Sequence, residues 1–101
     1  MRMIMDVTIP HEPFNSLVRQ GVAGKKIGDI LEAIKPEAVY FSEHDGRRGA
    51  TIVLDMADPS KIPALAEPFF LAFNADVKFR IAMTADDLKK SGLDALGKKW
   101  A

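Results

Sequence analysis

The sequence has no cysteine, one tryptophan, one tyrosine and no net charge. The absence of cysteine excludes disulfides, thiolate metal ligands and a cysteine nucleophile. Lys and Arg together number 14, as do Asp and Glu, so the positive excess of a dedicated nucleic-acid-binding protein is missing. The apolar run at residues 68–73 falls far short of the ~20 residues that span a bilayer, and no signal-peptide pattern opens the chain. We therefore expect a cytoplasmic protein with no membrane partner.

The length of 101 residues predicts a single domain, because two domains of half that size would each lack an adequate core. Hydrophobic residues make up 48% of the chain and charged residues 28%, which is typical of globular proteins. The balanced charge also leaves little repulsion between copies of the chain, which favours self-association.

The first third of the chain predicts a strand followed by a helical segment. Residues 2–9 alternate in hydrophobicity, which is typical of a strand with one buried face. From residue 14 to 34 the apolar residues recur at helical spacing, interrupted by Gly21, Gly24 and Gly28. Either two short helices break near Gly21, or a helix that begins just after Gly21 carries a smooth glycine stripe against a sheet. We favour the second interpretation.

A β-hairpin is predicted in the middle of the chain. Residues 38–44 and 50–56 are rich in β-branched and aromatic residues, and the Asp45-Gly46 pair between them is typical of a tight turn. We expect a register closed by Asp45 and Arg48, which pairs Glu43 with Ala50, Phe41 with Ile52 and Val39 with Leu54. This register places apolar side chains together on one face of the hairpin.

The last third of the chain predicts a helix, a strand and a helical arm. An Asp-Pro pair precedes a bent helix expected over residues 63–73, and residues 76–83 alternate as a strand. Thr84 and Asp87 resemble a capping box that opens a C-terminal arm at about 84–101. The side chains expected to point inward from the helix and the strand are Leu65, Ala66, Phe69, Phe70, Phe73, Val77, Phe79, Ile81 and Met83.

The predicted order is βαββαβ with an added C-terminal helical arm, which is an α+β, ferredoxin-like fold. Right-handed crossovers place the helices on one face of a four-stranded antiparallel sheet, in which the fourth strand lies beside the first, then the third, then the second. No element remains to cover the other face, which mixes polar and apolar side chains. Its predicted members are Ile4, Asp6, Thr8, Tyr40, Ser42, His44, Thr51, Val53, Asp55, Lys78, Arg80 and Ala82.

This uncovered face does not match that of an RNA-recognition motif, which shares the element order. Such motifs stack bases on aromatic side chains of the first and third strands. The third predicted strand begins with Arg48-Gly49, as in those motifs, but carries Ala50, Ile52 and Asp55 where aromatics are needed. Nucleic acid is therefore not an expected partner.

The element order, the stand-alone length, the mixed second face and the helical arm resemble the dimeric α+β barrel superfamily over nearly the whole chain. The stretches 35–41 (KPEAVYF) and 62–70 (IPALAEPFF) also resemble a family of small uncharacterised bacterial proteins. The superfamily resemblance implies a homodimer in which two sheets close into a barrel, with a pocket in each subunit. It fixes no reaction, because its members range from monooxygenases and muconolactone isomerases to haem-degrading enzymes.

Polar residues on the uncovered face form the candidate site. Asp6 and Arg80 lie on adjacent predicted strands, where a carboxylate beside a guanidinium can anchor a small organic acid or phenol, or form a structural ion pair at an interface. The candidate ligand-binding residues are Asp6, Tyr40, Ser42, Thr51, Asp55 and Arg80. The candidate catalytic residues are His44, Asp6, Tyr40 and Arg80. The dimer interface is expected to include Ile4, Val53, Leu96 and Trp100.

The two histidines, His11 and His44, are candidates for acid–base chemistry, although a solvated position is the commoner fate of such residues. No metal site or cofactor is expected, because neither a ligand spacing nor a phosphate-binding glycine pattern is present. We expect a homodimer that binds a small anionic or aromatic molecule. The alternatives are a cofactor-free monooxygenase or isomerase acting on a small organic substrate, and a structural or regulatory protein-interaction module.

Overall fold

Four antiparallel strands and five α-helices make up the structure, a computed structural model that describes residues 1–101. The strands are β1 (Arg2–Ile9), β2 (Ala38–His44), β3 (Arg47–Asp55) and β4 (Asp76–Ile81). The helices are α1 (His11–Arg19), α2 (Ala23–Ile34), α3 (Ile62–Phe73), α4 (Ala85–Lys90) and α5 (Leu93–Lys99), with a 3₁₀ turn at Pro59–Lys61. The sheet order is β2-β3-β1-β4, which confirms the predicted ferredoxin-like α+β fold.

The core lies between one face of the sheet and helices α1, α2 and α3. Alternate residues of β1 and β3 point toward the helices and are almost fully buried, as the period of two in their sequences predicts. Aromatic rings close the helix side of this core, with the Phe14 and Phe73 ring centroids 5.2 Å apart in an edge-to-face arrangement. The buried cluster comprises Met3, Met5, Val7, Ile9, Phe14, Ala23, Ile30, Ala50, Ile52, Leu54, Met56, Leu65, Phe69, Phe73 and Ala75.

The segment after β1 forms two helices rather than one with a glycine stripe. The chain breaks at Gly21, whose φ of +75° suits glycine, so the two-helix interpretation is confirmed. Gly24 and Gly28 are exposed, and an added Cβ would meet no atom within 4 Å. The favoured interpretation of close packing against the sheet is therefore wrong. The buried side of α2 is formed instead by residues such as Ala23 and Ile30.

The hairpin between β2 and β3 turns one residue earlier than predicted. His44 pairs with Arg47, and the two turn residues Asp45 and Gly46 both have positive φ, at 53° and 77°. That backbone is the type I′ turn, which suits Asp-Gly and fits the twist of the strands. The predicted register is therefore wrong by two residues. Because side chains alternate with a period of two, every residue still lies on the predicted face.

Three side chains expected inside the core lie outside it. Phe70 is 41% exposed, because its neighbour Phe69 takes the buried side of α3. Ile81 and Met83 are also exposed, since β4 ends at Ile81 on the edge of the sheet. Arg48 of β3 is exposed, and its guanidinium carbon lies 4.7 Å from the centroid of the Phe14 ring.

The C-terminal arm, residues 84–101, projects from the domain. The predicted capping box is present, with Thr84 Oγ1 accepting from the Asp87 N–H and the Asp87 carboxylate accepting from the Thr84 N–H. Every residue from 85 to 101 is exposed in the single chain, and the expected place of Trp100 in a dimer interface stays a prediction. The arm gives the chain a radius of gyration of 17.1 Å. None of the helices is both long and apolar enough to cross a lipid bilayer.

Candidate functional site

The candidate site lies on the sheet face that α1, α2 and α3 leave uncovered, called here the open face. Its side chains are those that alternate with the buried ones along each strand. The strand pairing places them in rows that run across the sheet. One row contains Tyr40, Thr51, Asp6 and Lys78, the next contains Ala38, Val53, Ile4 and Arg80, and a third contains Ser42, Gly49, Thr8 and Asp76.

Asp6 is the centre of a polar network that joins three strands. Its Oδ2 lies 2.8 Å from Nη2 of Arg80 on β4, and its Oδ1 accepts from the Thr51 hydroxyl of β3 at 3.3 Å. The Asp6 side chain is 25% exposed, whereas that of Arg80 is 62% exposed. The predicted pairing of Asp6 with Arg80 is thus present. The partly buried Asp6 carboxylate holds one nitrogen of the Arg80 guanidinium, while the rest of that group remains exposed to solvent.

His44 lies flat against the sheet at one end of the open face. Its Nδ1 is 3.4 Å from the Thr8 hydroxyl, two strands away on β1. The ring reaches across β3 at Gly49, where a Cβ would overlap ring atoms Cγ, Nδ1 and Cδ2. The neighbouring Glu43 does not orient this ring, because its carboxylate accepts from the Gly46 N–H at 2.7 Å. Strand geometry predicts this separation, since adjacent side chains point to opposite faces.

A shallow polar depression of about 410 Å³ surrounds His44. Its lining residues are Asp6, Thr8, Glu43, His44, Asp45 and Lys78. Two of its carboxylates are already engaged, that of Asp6 by Arg80 and that of Glu43 by the turn. Lys78 forms no ion pair within the protein. The depression therefore offers one free ammonium, an imidazole, a hydroxyl and the unpaired carboxylate of Asp45 to a small polar group.

The other candidates are spread over the length of the open face. Tyr40 is 68% exposed on the edge strand β2, and the Ser42 hydroxyl donates to the Glu43 carbonyl. Asp55 accepts from the Met1 amine at 2.7 Å, and this hydrogen bond lowers the pKa of the Asp55 carboxyl. Eight residues of β3 separate Asp55 from Arg47, which is about 26 Å along a strand. Asp55 and His44 therefore belong to opposite ends of the face.

The histidines do not combine into a metal centre. His11 is exposed at the start of α1, and no group of three His, Asp or Glu side chains is placed to hold a metal ion. Thr8 and Lys78 were predicted on this face but not as site residues, and Gly49 was not predicted there. The available signal was the glycine inside a strand pattern, which commonly marks a close approach by a neighbouring group.

No protein-family model matches this sequence, and no curated protein matches it. Among solved structures, the chain is similar to the de novo designed protein Ferredog-Diesel, with 7% identity and a TM-score of 0.43. The similarity covers 79% of this chain and 83% of that one. A likeness at this level carries no argument about function.

Proposed function

We propose that the protein is a homodimeric α+β barrel that binds a small, anionic aromatic molecule between the open faces of two copies. The observation that carries the proposal is the open face itself, where the apolar row of Ala38, Val53 and Ile4 lies beside the Asp6–Arg80 pair. A one-layer sheet with apolar side chains on both faces needs a second cover. A second copy supplies an identical, self-complementary face.

The size of the open face argues for the arm as part of the interface. Four strands about 4.8 Å apart and about seven residues long present roughly 440 Å². A stable interface buries about 800 Å² on each partner, so the sheet supplies about half of the required area. The arm supplies further apolar surface, because Leu88, Leu93, Leu96 and Trp100 are between 44% and 76% exposed. Docking of the arm on the partner subunit adds the area of the arm to that of the open face in a single interface.

The ligand class follows from the side chains that two open faces would enclose. Tyr40 offers an exposed aromatic ring, Lys78 offers a cationic group in the same row, and Arg80 offers one in the next row. An aromatic body suits the ring and the apolar row, and a carboxylate or phenolate suits the cations. The Asp6 carboxylate pairs with one nitrogen of the Arg80 guanidinium, which is 62% exposed and retains other N–H donors, and Lys78 forms no ion pair.

The oligomeric state tests the dimer directly. Sedimentation velocity at micromolar concentration is expected to give the mass of two chains. Val53→Lys, which places a charge on the apolar row, is expected to give single chains. Val18→Lys, which changes a valine 48% exposed on α1, is the matched control and is expected to stay dimeric. A wild-type protein that sediments as one chain at this concentration would overturn the dimer.

Benzoate and benzamide test the ligand class, because they share a ring and differ in charge. Thermal unfolding is expected to shift upward with millimolar benzoate and to change little with benzamide. Native mass spectrometry of the protein as purified provides an independent readout of any retained molecule. Equal effects of the two probes contradict anion recognition, and no effect of either contradicts the proposed ligand class.

A further inference from the structure

We infer that His44, Thr8 and Lys78 form the subsite that receives the anionic group of the ligand, and that Gly49 is the residue that positions His44 there. This inference rests on the proposed small-molecule binding, and it identifies the end of the open face at which the anionic group of the ligand binds. The lining of the depression around His44 places all three groups in one concavity. Gly49 was not among the candidates suggested by the sequence.

The position of the His44 ring depends on a missing side chain. Gly49 is buried and lies between Ser42 on β2 and Thr8 on β1, and the His44 ring reaches over it from the end of β2. Any residue with a Cβ at this position overlaps three ring atoms of His44. The ring therefore lies across the strand only because this position is glycine. The atoms that a Cβ would displace belong to a side chain, so Gly49→Ala moves the imidazole and leaves the strand in place.

The hydrogen bonds of the imidazole leave one nitrogen free for a ligand. Nδ1 faces the Thr8 hydroxyl, whereas Nε2 has no hydrogen-bond partner within the protein. When the hydroxyl donates to Nδ1, the neutral ring carries its proton on Nε2 and becomes a donor. Such a donor beside the unpaired Lys78 ammonium is the arrangement that binds a carboxylate oxygen.

The lining of the depression carries three carboxylates and one ammonium, so an anion is held there by direct contacts with Lys78 and His44 and not by the overall charge. Asp6 and Glu43 are held by Arg80 and by the turn backbone. Asp45, at the tip of the turn, is the one lining carboxylate without a hydrogen bond or ion pair. Its charge opposes an anionic ligand, so its removal provides a test of the sign of the site.

The first experiment measures the ring position without any ligand. An imidazole stacked on Gly49 is expected to shift the Gly49 Hα resonances upfield by its ring current, and His44→Ala is expected to remove this shift. In Gly49→Ala, contacts between the His44 ring and Thr8 in a nuclear Overhauser spectrum are expected to vanish. Unshifted Gly49 protons in the wild type, or ring contacts that persist in Gly49→Ala, overturn the positioning role.

The second experiment measures the affinity for benzoate, the probe, by NMR titration. Gly49→Ala and Lys78→Gln are each expected to weaken binding about tenfold, which is the scale of one charge-assisted hydrogen bond. Gly24→Ala is the matched control, because an added Cβ meets nothing there, and is expected to leave the affinity unchanged. Asp45→Asn is expected to retain or increase the affinity.

The outcomes of these experiments distinguish failure of the proposed subsite from failure of the proposed dimer. Unchanged affinity in both Gly49→Ala and Lys78→Gln, or weakened affinity in Asp45→Asn, overturns the subsite. Sedimentation of the same variants is expected to show unaltered dimers, because none of the changed residues belongs to the apolar row of Ala38, Val53 and Ile4. If the wild type is a single chain and still binds benzoate in a manner that depends on Gly49 and Lys78, the subsite stands and the barrel proposal fails.

Discussion

At the scale of single residues, glycine has opposite meanings at two positions of this chain. Gly49 admits an aromatic ring that any other residue would displace, whereas Gly28 has open space where its Cβ would be. Both lie inside regular elements, where glycine costs about 0.5–1 kcal/mol relative to alanine. At Gly49 the missing Cβ allows the His44 ring to lie across the strand, which no other residue at this position permits. At Gly28 the structure provides no such compensation.

Gly28→Ala is therefore expected to raise the free energy of unfolding by about 0.5–1 kcal/mol, because the helix interior gains a better helix former. Urea denaturation followed by circular dichroism measures the change as a shift in midpoint at constant slope. Gly46→Ala is the contrasting variant, because the Gly46 φ of +77° strains an L-residue, and it is expected to lower stability. A destabilised Gly28→Ala protein would mean that the position has a packing partner.

At the scale of elements, the alternation of strand residues predicted which side chains face the helices, because burial follows a period of two. The same period does not determine the register of the hairpin, because a shift of two residues leaves every side chain on the same face. Pairing Phe41 with Ile52, as predicted, or with Ala50, as found, leaves the faces identical. The Asp45-Gly46 pair distinguishes the two registers, because both residues have positive φ and form the two-residue turn. The position of His44 over Gly49 depends on that register, so the alternation alone could not predict it.

The first helix of the arm, α4, depends on its capping box. Thr84→Ala removes the oxygen that accepts from the Asp87 N–H at 3.1 Å, and this change is expected to cost about 1 kcal/mol of local helix stability. Amide hydrogen exchange in residues 85–90 is expected to accelerate while exchange in the sheet stays the same. Thr84→Ser retains the oxygen and is the control. Equal exchange in Thr84→Ala and the wild type would show that the cap does not stabilise α4.

The same cap predicts a pH dependence of α4. The hydrogen bond from the Thr84 backbone N–H, and next the hydrogen bond with the Thr84 side chain that Thr84→Ala removes, lower the pKa of Asp87 below its ordinary value. A carboxyl with a lowered folded-state pKa stabilises the helix above its unfolded pKa of about 3.9, and this stabilisation is lost as the pH falls through the folded value. Amide shifts of α4 are therefore expected to move toward coil values below pH 4. In Thr84→Ala, with Asp87 still present, the transition is expected to be weaker.

At the scale of the whole molecule, the projecting C-terminal arm makes the chain more extended than a compact domain of the same length. A compact chain of this length has a radius of gyration of about 13 Å, whereas this one measures 17.1 Å with a long axis of 59 Å. The spacing of Leu93, Leu96 and Trp100 predicted one apolar side of a helix, but it could not distinguish packing against its own domain from docking on another. Their exposure shows that they do not pack on their own domain.

The last prediction concerns what the arm contributes, and it separates folding from assembly. The variant Leu96→Ala with Trp100→Ala removes the two terminal apolar side chains from α5 while keeping a sequence that forms a helix. The stability of the single chain is expected to remain unchanged, because neither side chain belongs to the buried cluster. The dissociation constant of the dimer is expected to rise at least about tenfold, since a buried aromatic anchor dominates interface energetics.

Sedimentation equilibrium measures this dissociation constant, and small-angle scattering reports whether the arm is folded against a partner. Leu71→Ala is the control, because Leu71 is 83% exposed on α3, outside the open face, and its loss is expected to leave the dissociation constant unaltered. If the arm variant dissociates no more readily than the control, the arm is not part of the interface. In that case the sheet face alone, at about half the usual interface area, would have to hold the two copies together.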